Sequence, residues 1–175
     1  SHKHAFGVSG ELKYALREAI ELIGNEAIRY KREVAKERVF ERNDIDLAAE
    51  LSRECLTFMY RILFLMYLEA RPELGYAPVQ AAAYLRGYSL EHLRDLENLS
   101  LTTPEALEGT YIHVSLQTLF QLIWNGFPAQ GKTLGGLELN SIINNGFRLA
   151  PLQGHLFAPS KLKILPFLGF IFVCK

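Results

Sequence analysis

Cysteine is scarce. Cys55 and Cys174 are the two in the chain, and they lie too far apart in sequence to suggest a disulfide framework or a metal-binding pair. A reduced, cytoplasmic setting is expected. Net charge is missing as well: 19 basic residues balance 19 acidic ones, so no whole-molecule attraction to nucleic acid or membranes follows. Long hydrophobic runs are also absent from the first two thirds of the chain. The most apolar piece there, LTFMYRILFLMYL from Leu56 to Leu68, falls short of the roughly 20 residues a membrane span requires and contains Arg61. It reads as a buried core helix. No basic start, apolar stretch and small-residue cleavage site occur in order, so no signal peptide is expected. Acids nearly vanish from the C-terminal third: residues 109–175 hold five bases and only Glu138, a net of +4, against −4 for residues 1–108.

What is present is ordinary globular composition, 49% hydrophobic and 22% charged over 175 residues, enough to bury the core of about one domain. Ser9 can cap a helix over residues 10–23, where Leu12, Leu16, Ala19, Ile20 and Ile23 recur at helical spacing, and Gly24 marks an expected break or kink. A second, charge-rich helix is expected from Glu26 to Arg42. The central helix starts at Asn43 or Asp44 and carries a broad stripe through Leu47, Leu51, Cys55, Phe58, Ile62 and Met66 to a stop near Arg71-Pro72. A short helix follows Pro78 and ends at Gly87, Ser89 caps another over LEHLRDLENL, and a last one runs from Pro104 to Asn125-Gly126. Beyond that, PAQGKTLGG, NNG and APLQG punctuate short apolar pieces. The fold class is therefore mainly α: an irregular bundle of about five helices over residues 1–125, and a loop-rich tail over 126–175 with room for a small β-hairpin.

One stretch advertises chemistry. GFPAQGKT, Gly126 to Thr133, satisfies the phosphate-loop pattern G-x-x-x-x-G-K-[ST]. Such a loop works by leaving a strand and opening a helix, so that backbone N–H groups converge on a phosphate. Here a helix precedes it and LGGL follows, and no aspartate lies downstream of Asp95 to hold magnesium. A plain loop with Lys132 exposed is the better reading.

Other constellations are weaker. His2, His4, His92, His113 and His155 lack zinc-ligand spacing, and His113 with Ser115 would face apart on a helix. Glu11-Leu12-Lys13 has the E-x-K form of metal-dependent nucleases but no upstream aspartate. The acids Glu41, Asp44, Asp46, Glu50 and Glu54 read as electrostatics at a helix start. No catalytic, cofactor or metal residues are assigned. The charge-rich helix offers a phosphate-contacting face through Arg29, Lys31, Arg32, Lys36 and Arg38, with Lys132 and Arg148 as further candidates and Lys161 and Lys163 as a weaker basic area. Its competing reading is a solvated face in which Glu26, Glu33, Glu37 and Glu41 neutralise those bases.

The segments RECLTFMYRILFLMYLEARPELG (Arg53 to Gly75), YLRGYSLEHLRDLE (Tyr84 to Glu97), TYIHVSLQTLFQLIWNG and FRLAPLQGHLFAP (Phe147 to Pro159), in that order, resemble a known arrangement. It is the helical region preceding the methyltransferase domain in bacterial restriction-modification and phage-defence enzymes that methylate adenine in DNA, type IIG enzymes included. The resemblance covers about residues 45–160, and its Y-S-L-x-x-L-R and G-x-L-F-x-P motifs fall at Tyr88 to Arg94 and Gly154 to Pro159. It implies a connector that orients catalytic modules and touches the DNA backbone. The glycine-rich loop for S-adenosylmethionine and the N-P-P-[YF] motif of that family's catalytic domain are lacking here. The expectation is thus a piece of such an enzyme, or a short homologue, that methylates nothing by itself and needs no cofactor of its own. The methyltransferase domain would be its partner, and the apolar end KLKILPFLGFIFVCK would support self-association. The rival expectation is an independent helical protein-protein interaction module with no nucleic-acid role.

Overall fold

A computed structural model describes residues 2–33, 44–95, 111–127, 147–163 and 165, and among them the protein is mainly helical. Helix α1 spans His2–Glu33, α2 Asp44–Glu69, α3 Ala82–Gly87, α4 Leu90–Asp95 and α5 Tyr111–Asn125, with short 3-10 turns at Pro72–Leu74, His155–Phe157 and Pro159–Lys161. The described residues form two compact units: one holds those up to Tyr60 together with Leu162, Lys163 and Leu165, the other those from Arg61 to Lys161. This line falls inside α2. No described helix is long and apolar enough to cross a membrane.

In the first unit, α1 runs straight through Gly24, where a break was expected. A Cβ placed at Gly24 would lie 4.0 Å from Leu51 Cδ2, and Ile23 and Ala27 on either side are buried. Packing against α2 therefore overrides the ~1 kcal/mol that an interior glycine costs a helix. Leu51, Cys55, Phe58, Leu162 and Leu165 complete this core.

In the second unit, Leu65 and Leu68 of α2 are buried, as are Tyr84 of α3 and Leu116, Leu119, Phe120 and Ile123 of α5. Gly75, at φ 73°, closes the 3-10 turn after α2 by donating its N–H to Pro72 O at 3.0 Å. Helix α4 begins where expected: Ser89 Oγ accepts the His92 N–H at 3.1 Å, the bond an N-cap serine makes. Helix α5 likewise ends where expected, with the Gly126 N–H donating to Leu122 O at 2.8 Å and Gly126 at φ 74°.

Residues 147–161 form a strap laid on this unit. Its two 3-10 turns are single turns, and three apolar pegs, Phe147, Leu149 and Phe157, are buried while most of the rest is exposed. The hairpin for which the tail had room is represented among the described residues by one isolated antiparallel bridge, in which Phe127 and Leu149 exchange N–H···O bonds of 2.8 Å each. Gly126 makes this approach possible. A Cβ there would sit 2.7 Å from Leu149 O and 2.8 Å from Pro151 N.

Candidate functional site

The bases proposed to meet phosphate divide sharply. Lys36, Arg38 and Lys132 lie outside the described residues. Arg29 donates from Nε to Glu26 Oε2 at 2.9 Å, pairs through Nη2 with the other Glu26 oxygen, and reaches Glu33 at 3.5 Å. The bond to Glu26 is the main reason its pKa rises above the ordinary arginine value. Arg32 pairs with Glu33 at 3.2 Å, and Lys31 is half-buried. The described end of the charge-rich helix thus neutralises Arg29 with acids at i−3 and i+4, as helical spacing allows, and Arg32 with its sequence neighbour Glu33. Arg148 stands on the strap between the buried Phe147 and Leu149, is exposed, and has no ion-pair partner among the described residues. The basic candidates described here are not gathered onto one element.

The lesser motifs also find their places. Glu11, Leu12 and Lys13 are exposed on α1, so the E-x-K triplet sits on a helix surface. His113 is buried in α5, His155 is exposed on the strap, and no three metal-capable side chains cluster among the described residues. The first glycine of GFPAQGKT is the residue that ends α5 and admits the strap. Phe127 follows it in the bridge with Leu149, and residues 128–133 lie outside the described residues.

The geometry that sequence reading missed is on α2. Glu54, Arg61 and Glu69 interrupt its apolar run, and each holds backbone atoms of a segment distant in sequence. In the first unit, buried Glu54 accepts the Lys163 N–H at 2.8 Å and the Leu165 N–H at 3.0 Å. Glu54 was expected to serve helix-start electrostatics together with Asp46 and Glu50. Those two are exposed, whereas Glu54 anchors the chain 109 and 111 residues downstream.

In the second unit, Arg61 is 3% exposed and uses its fork on main-chain carbonyls, Nε to Leu156 O at 2.8 Å and Nη2 to Ala158 O at 2.9 Å. Its guanidinium also lies 5.1 Å from the Phe120 ring centroid and 5.6 Å from that of Phe157. Phe157 in turn meets Phe64 at 5.8 Å and Phe120 at 6.0 Å between centroids. A planar cation beside two aromatic rings, with its donors satisfied by carbonyls, recovers part of what burial costs it.

Glu69, near the end of α2, accepts from the Tyr84 hydroxyl at 3.0 Å, the Leu90 N–H at 2.9 Å and the Glu91 N–H at 3.3 Å. Burial raises its pKa above the usual carboxylate value, against the pull of these three donors. Tyr84 is fully buried, and burial and then the Glu69 charge raise its pKa too. Cys55, with no exposed surface, is pushed up to about 11 by burial and then by neighbouring Glu54, so it stays a thiol near neutrality.

The signal for these clasps was available in part: charged residues punctuate the apolar run of α2 on a side that also carries buried apolar residues. What they bind was not. The first unit also has an open apolar groove, bordered by Leu12, Leu16 and Ile20 of α1 and by Ser52 and Leu56 of α2. No protein-family model, curated protein or solved structure matches the chain.

Proposed function

We propose that this chain is a non-catalytic helical connector belonging to an adenine-specific DNA methyltransferase of the restriction-modification type. The observation that carries the reading is where the resembling motifs sit. Within Y-S-L-x-x-L-R, Ser89 caps α4 and Leu90 gives its N–H to Glu69. Within G-x-L-F-x-P, Phe157 is buried and the carbonyls on either side of it are taken by Arg61. Both motifs are thereby seated on α2 through main-chain bonds, which suits a rigid spacer whose task is to present other modules at a fixed angle. The methyltransferase domain would be the partner, S-adenosylmethionine would belong to that domain alone, and the setting would be cytoplasmic.

DNA contact on this reading is with phosphates, through Arg29, Lys31, Arg32, Lys36, Arg38, Lys132 and Arg148, of which Arg148 is exposed and has no ion-pair partner among the described residues. The test is fluorescence anisotropy of a labelled duplex. Affinity should fall as salt rises, in proportion to the phosphates neutralised, and should drop when Lys36 and Arg38 are changed together to glutamate. Absence of duplex binding at low salt, combined with dimerisation that rises with concentration, would support instead an independent interaction module. The groove between α1 and α2 and the exposed Leu12, Tyr14 and Leu22 favour that second reading. Methyl transfer from S-adenosylmethionine by this chain alone would contradict both.

A further inference from the structure

We propose that the strap, residues 147–161, opens and closes on its helical unit as a single element, with Gly126 as the seat at one end and Arg61 as the latch at the other. The strap has little structure of its own to persist without the frame. Its described backbone bonds to the frame are few and lie at separate points: the two-way bridge of Leu149 with Phe127, the Leu152 N–H to Ile123 O at 2.8 Å, and the Arg61 fork on Leu156 and Ala158. Its buried pegs enter two different aromatic clusters. Phe147 packs on Tyr84, Tyr88 and Phe127 at centroid distances of 5.4, 5.7 and 4.9 Å, and Phe157 packs beside Phe64 and Phe120.

A short segment tied at both ends, with exposed residues between, gains little by releasing one end alone. The freed backbone would remain tethered close to the frame, and the peg left behind would still be buried. Opening both ends together recovers the conformational entropy of the whole segment, which is the condition for a cooperative unit of local unfolding. The proposal rests on these contacts and not on the connector reading.

Hydrogen exchange on the full chain tests it. In the wild type, the amides of Leu149, Leu152 and Phe157 should converge on one opening curve in low urea, below the protection of interior α5 amides such as Leu119. Arg61→Lys, which keeps the charge but loses the fork, should speed exchange of all three by about tenfold or more, with α5 unchanged. Gly126→Ala, acting from the other end, should do the same, reaching Phe157 although the clash is at Leu149. If Gly126→Ala accelerates Leu149 and Leu152 alone, or if the three wild-type amides follow separate curves, the strap is not one unit. Acceleration of α5 by the same factor in Arg61→Lys would also overturn the idea, by making Arg61 a general core residue. The wild-type urea series decides the matter even if neither variant folds.

Discussion

The Tyr84 hydroxyl donates to Glu69 Oε1 at 3.0 Å, and the same oxygen accepts the Leu90 N–H at 2.9 Å, so one carboxylate ties the body of α3 to the first turn of α4. Glu69→Ala would leave a fully buried hydroxyl and the Leu90 and Glu91 amides without their acceptor. A loss of about 2–3 kcal/mol is expected, since each buried unsatisfied group costs roughly 1–3 kcal/mol. Tyr84→Phe removes one donor and should cost less. Urea unfolding of both single variants and the double variant should give a clearly non-additive cycle; strict additivity would mean that the bond contributes nothing.

The same carboxylate sets a pH dependence. Its pKa is higher in the folded state than the ordinary value of 4.5, so the native protein holds this proton more tightly than the unfolded chain does. The contribution is therefore fully present below pH 4.5 and is lost as pH rises from there through the raised value. Glu69→Gln should flatten that part of the stability profile. Identical pH profiles for the two proteins would refute the assignment.

Cys55 should resist alkylation. With its pKa near 11 against an ordinary 9.0, the thiolate fraction at neutral pH falls roughly a hundredfold, and burial blocks access as well. In a Cys174→Ser background, maleimide should label the native protein at least that much more slowly than the urea-unfolded protein. Similar rates in both states would show that the α2 core opens freely.

Ser89→Ala should destabilise by about 1–2 kcal/mol, the range for loss of an N-cap. Ser89 is fully buried and also donates to Leu85 O, so the alanine variant leaves a carbonyl short of a partner as well. Calorimetric unfolding would measure the shift. A change within a few tenths of a kcal/mol of wild type would mean that Glu69 alone suffices to cap α4.

Local rules made much of the frame legible in the sequence. The start of α2, the Ser89 cap and the stop at Asn125-Gly126 each depend on a few adjacent residues, and each is found where expected. Gly24 misled because its neighbours Ile23 and Ala27 are buried, a fact that lies in tertiary packing. Arg61 and Glu54 were visible only as charges in an apolar helix. Their partners lie 95 to 111 residues away, and no periodicity within α2 encodes them. Arg29 was the converse case: acids at i−3 and i+4 were in plain view, and it bonds to both.

Arg61 grips carbonyl oxygens, which every residue type supplies, so the side chains of Leu156 and Ala158 are not what the latch reads. Outward positions of the strap such as Gln153, His155 and Ser160 are therefore open to mutational drift, while Phe157 and Gly126 are not. For protein engineering this marks His155 as a place to attach a dye or an affinity handle without disturbing the frame. For lineages of this chain it means that the strap can change its surface character repeatedly while its path across the helices stays the same.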